Sequence, residues 1–151
     1  MNALRNSLRM LLGRRPAALQ VAAICRNAAG DVLLITSRGT GRWVIPKGWP
    51  MAGRSLAGAA AQEAWEEAGI RGTIAEAEIG RFCYDKDQDQ GFAVPVEVRV
   101  FLLDVTEQRS EFPEASQRQS KWCPPARAAE LVAEPGLAQI LRKLGGSGLD
   151  A

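Results

Sequence analysis

Residues 48–70 read GWPMAGRSLAGAAAQEAWEEAGI, and the fold turns on this stretch. Gly48, Pro50 and Gly53 mark a loop. Ser55 is a helix N-cap, because its hydroxyl can accept from an unpaired N–H of the first turn. Leu56–Ala68 then reads as a helix with Ala at six positions, the residue that gives up least on entering a helix. Gly69 closes it, since the position after a helix commonly takes a left-handed conformation. The last turn carries Glu63, Glu66 and Glu67. At about 100° per residue these positions fall within an arc of roughly 100°, so three carboxylates share one face.

A helix C-terminus carries partial negative charge and favours Lys or Arg. Like charges four residues apart repel by about a few tenths of a kcal/mol. A divalent cation removes both penalties, and hard oxygen ligands suit magnesium or manganese. The plain alternative is a solvated acidic face. The flanking residues favour the metal. Lys47 leads into the loop, and Arg38 and Arg42 precede it. Cations beside a carboxylate cluster suit a phosphate-rich substrate bridged by metal.

With Gly48, Glu63, Glu66, Glu67, Gly69 and Ile70 in place, the stretch resembles the Nudix box, G-x5-E-x7-R-E-U-x-E-E-x-G-U, where U is a bulky aliphatic residue. The preceding Arg42-Trp43-Val44-Ile45-Pro46-Lys47-Gly48 looks like the branch of diphosphoinositol polyphosphate and diadenosine polyphosphate hydrolases. The resemblance implies an α/β (α+β) fold, an α/β/α sandwich with a mixed sheet flanked by helices. It implies Mg2+ (or Mn2+) as cofactor and metal-dependent hydrolysis of a phosphoanhydride bond in a nucleoside or inositol polyphosphate-type substrate. Glu63, Glu66, Glu67 and the Lys47 carbonyl would hold metal. Glu63 and Glu67 would be catalytic. Arg38, Arg42, Lys47 and Trp49 would contact substrate, with Gly48, Arg54 and Gln62 in support.

Two positions depart from the pattern. Arg54 stands where the family has Glu, and Gln62 where it has Arg; Ala64 replaces a bulky aliphatic residue. The missing pair is thought to steady the metal-binding glutamates, so Arg54 is expected to turn toward the helix end and support Glu66 or Glu67. The departures also leave open a catalytically weak domain that binds a phosphorylated ligand as a regulatory or interaction module.

Outward from the box, Ala18–Arg26 and Val32–Thr36 read as a hairpin across an Asn27–Gly30–Asp31 turn. Residues 43–45 are a short strand stopped by Pro46, and 47–54 a loop. Residues 72–84 form a strand broken near Gly80, 85–91 a polar loop, and 93–105 a long strand despite Pro95. Ser120–Cys123 is a last strand, and 125–132 and 137–144 are helices. Strands and helices alternate without a regular βαβ rhythm, which fits a mixed sheet with helices on its faces. A base outside the helix could be Asp85, Asp87, Asp89, Glu97, Glu111 or Glu114, and Arg118 could reach substrate. Trp43 and Trp65 read as core residues.

The 151 residues suggest one domain at 17–144, with a basic arm at 1–16 and a disordered tail at 145–151. A net charge of +2 argues against nucleic acid as a stable partner. No apolar run approaches the roughly 20 residues that span a bilayer. Histidine is absent, which removes the usual zinc ligand and the Ser–His pairing. Cys25, Cys83 and Cys123 are far apart, odd in number and without CxxC pairing, and read as reduced, mostly buried thiols of a cytoplasmic protein. The expected partner is a small polyphosphate, and a homodimer stays open.

Overall fold

Two long apolar strands run side by side through the middle of the sheet, and everything else is hung from them. In the computed structural model, residues 18–87 and 93–146 are described. The expected arm at 1–16, Asp89, and residues 147–151 of the expected tail lie outside them. In chain order the elements are β1 (Ala18–Arg26), β2 (Val32–Thr36), β3 (Trp43–Val44), β4 (Lys47–Gly48), α1 (Leu56–Ala68), β5 (Ile70–Ile74), β6 (Gly80–Asp87), β7 (Ala93–Gln108), β8 (Ser120–Cys123), α2 (Pro125–Leu131) and α3 (Pro135–Gly146).

β1 and β7 are parallel, in register from Ala18↔Val96 to Arg26↔Asp104. The free edge of each is shared by two partners. On β7, β5 covers residues 103–108 and β6 covers 93–100, both antiparallel. On β1, β2 pairs only at Arg26↔Val32, and β4 takes the edge further back at Val21↔Gly48 and Ala22↔Lys47. The β1–β2 hairpin is therefore present but splays at once. The gap is filled by Lys47 and Gly48, which sequence reading left in a loop. That short strand brings the start of the box against the central sheet.

Neighbouring residues on a strand point to opposite faces, so a strand buried at every position must be covered on both. Val21 through Cys25 are fully buried. On one face Val21, Ala23 and Cys25 join Leu33, Ile35, Phe101 and Leu103 against the alanines of α1. On the other Ala22, Ile24, Leu34 and Val98 pack on Leu137 and Leu141 of α3 and Ala128 of α2. This is the expected α/β/α sandwich around a mixed sheet. Ala57, Ala60, Ala64 and Ala68 recur at helical spacing and are buried, so their methyl-sized side chains let α1 lie close to the sheet.

Several boundaries move. The strand expected at 72–84 is two strands with a break at residues 75–79, and β7 runs to Gln108. The polar loop starts later than expected, because residues 85–87 pair with β7. The parallel ladder with β1 begins at Val96, one residue past Pro95, whose missing N–H is outside it. α3 starts at Pro135, a position that suits proline's missing donor, and includes Gly145 and Gly146 of the expected tail. Cys25 and Cys123 are buried, whereas Cys83 is exposed. Trp43 packs against the core.

Candidate active site

α1 is capped as its sequence demands. Ser55 Oγ accepts from the Gly58 N–H at 2.9 Å, and Gly69, at φ 70°, donates back to the carbonyls of Ala64 and Trp65. A Cβ at Gly69 would collide with the Arg109 carbonyl and the Phe112 ring. The helix end is thus fixed between β4 on one side and residues 109–118 on the other.

Glu63 and Glu67 enter a cavity of about 390 Å³ between this end and the sheet. Lys47, Gly48, Trp49 and Arg38 line it too, as do Gln20, Tyr84, Lys86, Glu114 and Arg118. The peptide of Lys47 lies against Glu67 and donates its N–H to Oε1 at 3.3 Å. Gly48 makes room for an acid. The Glu63 carboxyl occupies the space that a Cβ there would need.

The electrostatics are set by two neighbouring acids, Glu67 buried and Glu63 half-buried. Glu67 is only 7% exposed. Burial, and then a hydrogen bond to Glu63, push its pKa up to about 8. Burial raises Glu63 as well, partly offset by that same hydrogen bond. Burial lowers the Lys47 ammonium, with Glu134 and Glu67 pulling it back up. Its Nζ lies 5.3 Å from the centre of the Tyr84 ring, while the Tyr84 hydroxyl donates to buried Gln20 at 2.7 Å.

Arg118 holds the back of the cavity. Its guanidinium stands 3.8 Å from Glu67, donates to Glu114 at 2.9 Å and donates to the Thr36 carbonyl at 3.0 Å. Arg38 donates to Gln117 at 2.8 Å at the mouth. Beyond it a polar shelf of about 540 Å³ continues from the cavity, sharing Ser37, Arg38 and Arg118 with it.

Not every expected residue arrives. Glu66 does not line the cavity. It stands at the edge of the acidic arc, where Gln62, one turn earlier, donates to its carboxylate at 2.7 Å. Arg42 is exposed and outside the lining. Arg54 does not turn toward the helix end: it lines a separate small hollow with Gln62 and Trp65. Its expected role of bracing a glutamate falls to Arg118, which reaches Glu67 from the loop before β8. Trp65 is half-buried beneath the Arg71 guanidinium instead of lying in the core. Trp49 is 49% exposed at the rim. Of the outside bases, Glu114 lines the cavity, whereas Asp85, Glu97 and Glu111 do not. Asp87 lies on β6. Gln20, Tyr84 and Lys86 escaped sequence reading, because only the β1–β7–β6 register places them opposite the helix.

Among the described residues, no group of three or more acid, Cys or His side chains stands close enough together to hold a metal ion by itself. The donor chemistry of Glu63 and Glu67 nevertheless fits a hard cation. Two carboxyl groups side by side, Glu67 buried and Glu63 half-buried, are short of positive charge.

An α/β/α sandwich with paired acids at a helix end beside a cation-lined cavity defines a Nudix-fold protein. Residues 16–144 match the NUDIX domain, and the chain belongs to the Nudix hydrolase family of enzymes. The Arabidopsis thaliana protein called Nudix hydrolase 12, mitochondrial, is 28% identical over 139 residues, which cover 83% of this chain and 67% of that protein. Among solved structures, the E. coli dihydroneopterin triphosphate pyrophosphohydrolase has a TM-score of 0.67 at 17% identity, over 84% of this chain and 94% of that one. The C. elegans Ap4A hydrolase has a TM-score of 0.59 at 21% identity, over 89% and 98%. At these identities the structures establish a shared fold.

Proposed function

We propose that this enzyme hydrolyses a phosphoanhydride bond in a nucleoside or inositol polyphosphate-type substrate, with Mg2+ or Mn2+ held by Glu63 and Glu67 and joined by Glu66. The observation that carries the reading is the Glu63–Glu67 pair, Glu67 buried and Glu63 half-buried, in a cavity that also contains Lys47, Lys86, Arg38 and Arg118. When bound, the cation supplies charge neutralisation at the phosphoryl oxygens and a nucleophile that ionises near neutral pH. Lys47 and Lys86 grip phosphates from the β4 and β6 side, and Arg38 does so from the mouth. Glu67 accepts the proton released by attack, because burial lets it hold a proton near neutral pH. The adjoining shelf leaves room for a group on the far side of the diphosphate. Exposed Trp49 is placed to stack on a base, if the substrate has one.

Names borne by similar proteins, Ap4A hydrolase among them, support a diphosphate-linked substrate without selecting one. Three free cysteines support a reducing, cytoplasmic setting, although the Arabidopsis relative is named as mitochondrial. One observation favours a binding module instead: Gln62 holds Glu66 away from the other two acids. Purified protein with magnesium or manganese and a panel of polyphosphates separates the readings. Hydrolysis of a compound by wild type and not by Glu67→Gln is expected. Saturable binding of the same compounds without turnover would transfer the case to the binding module.

A further inference from the structure

Ala61, Gln62 and Trp65 lie about 100–160° around α1 from Glu63, and there the helix forms one wall of a second hollow, about 190 Å³ in volume. It shares no lining residue with the active-site cavity. Arg54 and Arg71 both line it, and no carboxylate does.

These two arginines are unlike most of those among the described residues. Arg26, Arg81, Arg99, Arg109, Arg118 and Arg127 each meet a carboxylate. The Arg54 side chain has no hydrogen bond or ion pair among the described residues. The Arg71 guanidinium lies over the Trp65 ring, 3.9 Å from its centre. Stacking fixes the plane of a guanidinium while leaving its edge N–H groups free to donate.

The backbone is shaped around this hollow. The β5–β7 register shifts between Arg71 and Gly72. A shift of that kind breaks alternation and re-aims side chains, and Arg71, Gly72 and Thr73 are all exposed in succession. A side chain at Gly72 would strike the Asp104 carbonyl and Leu103, so β5 hugs β7 and the hollow stays open. Gln62 turns its amide N–H toward Glu66, which leaves the two guanidiniums to carry the charge.

We infer that this hollow is a second anion site, taking a small oxyanion of the phosphate or diphosphate class between Arg54 and Arg71. The volume is below the roughly 300–1,000 Å³ of sites for drug-sized ligands, so a whole nucleotide is excluded. Guanidinium forks match the paired oxygens of phosphate.

The test is titration of the full chain with inorganic phosphate and diphosphate in EDTA, following the Trp65 indole N–H resonance, assigned through Trp65→Phe. A saturable shift is expected in wild type and in Lys47→Ala, whose substitution lies in the other cavity. Arg54→Glu should weaken it by about tenfold or more, the loss of one charge-assisted contact. Arg54 is exposed, so that variant should keep the folded spectrum, and Arg54→Ala provides a second check. No saturable shift of Trp65, or wild-type affinity in both Arg54 variants, overturns the site. Loss in Lys47→Ala with retention in Arg54→Glu overturns it as well, since the anion would then be in the active-site cavity.

Discussion

Arg118 is bound to the acid it supports from a distance of 51 residues along the chain: its guanidinium is 3.8 Å from the Glu67 carboxylate, and both side chains are only 9% exposed. The same group ties the Thr36 carbonyl and Glu114 into one network. Arg118→Ala would leave these acceptors without their donor in a buried setting. We expect a loss of about 1–3 kcal/mol in stability and of roughly 10–100-fold in manganese affinity, read by urea denaturation and calorimetric titration. An unchanged result in both would remove Arg118 as the brace.

Glu67 sets stability against function. Its folded pKa of about 8 lies above the usual 4.5, chiefly through burial. The folded protein therefore holds this proton more tightly than the unfolded chain. The resulting stability is fully present below pH 4.5 and is lost as pH rises through about 8. In EDTA, the Tm of wild type should fall relative to Glu67→Gln between those limits, while the variant hydrolyses nothing. Parallel Tm–pH curves for the two proteins would contradict the assignment.

Gly48→Ala places a methyl group where the Glu63 carboxyl lies. That carboxyl is the tip of a flexible side chain and can swing aside, so stability should change by less than about 1 kcal/mol, but the shift moves a proposed metal ligand. Turnover should drop more than thermal stability. A variant with wild-type Tm and activity would show that the Gly48 backbone has slack to give.

Thiol reactivity should divide the cysteines. Cys83 is exposed, whereas Cys25 and Cys123 are buried. Burial pushes the Cys25 thiol up to about 12 and raises that of Cys123, so both stay protonated at pH 8, and only the thiolate attacks a disulfide reagent. Native protein should release one equivalent quickly and three after denaturation. A second fast equivalent, traced to Cys25 by mass spectrometry, would show that β1 opens to solvent.

Much of the architecture was readable because local rules govern it. The cap at Ser55, the alanine-rich run and the close at Gly69 determine α1 within 15 residues, 55–69. The uninterrupted apolar run of β1 requires cover on both faces, hence a three-layer fold. β4 was not readable, since two residues with Gly48 between Pro46 and Pro50 carry no strand signal; they pair because β2 leaves the edge of β1 vacant.

By itself, the amino-acid sequence determined the helix with its three acids, the loop that feeds it and the family these define, because spacing along one helix is a property of the chain alone. The tertiary structure alone decided which acids meet. Glu63 and Glu67 face the sheet, while Glu66 is taken by Gln62. It also brought Tyr84, Lys86 and Arg118 to the cavity and sent Arg54 to the other side of α1. Strand register and side-chain partners set those positions, and they arise only when residues far apart in the chain compete for the same space.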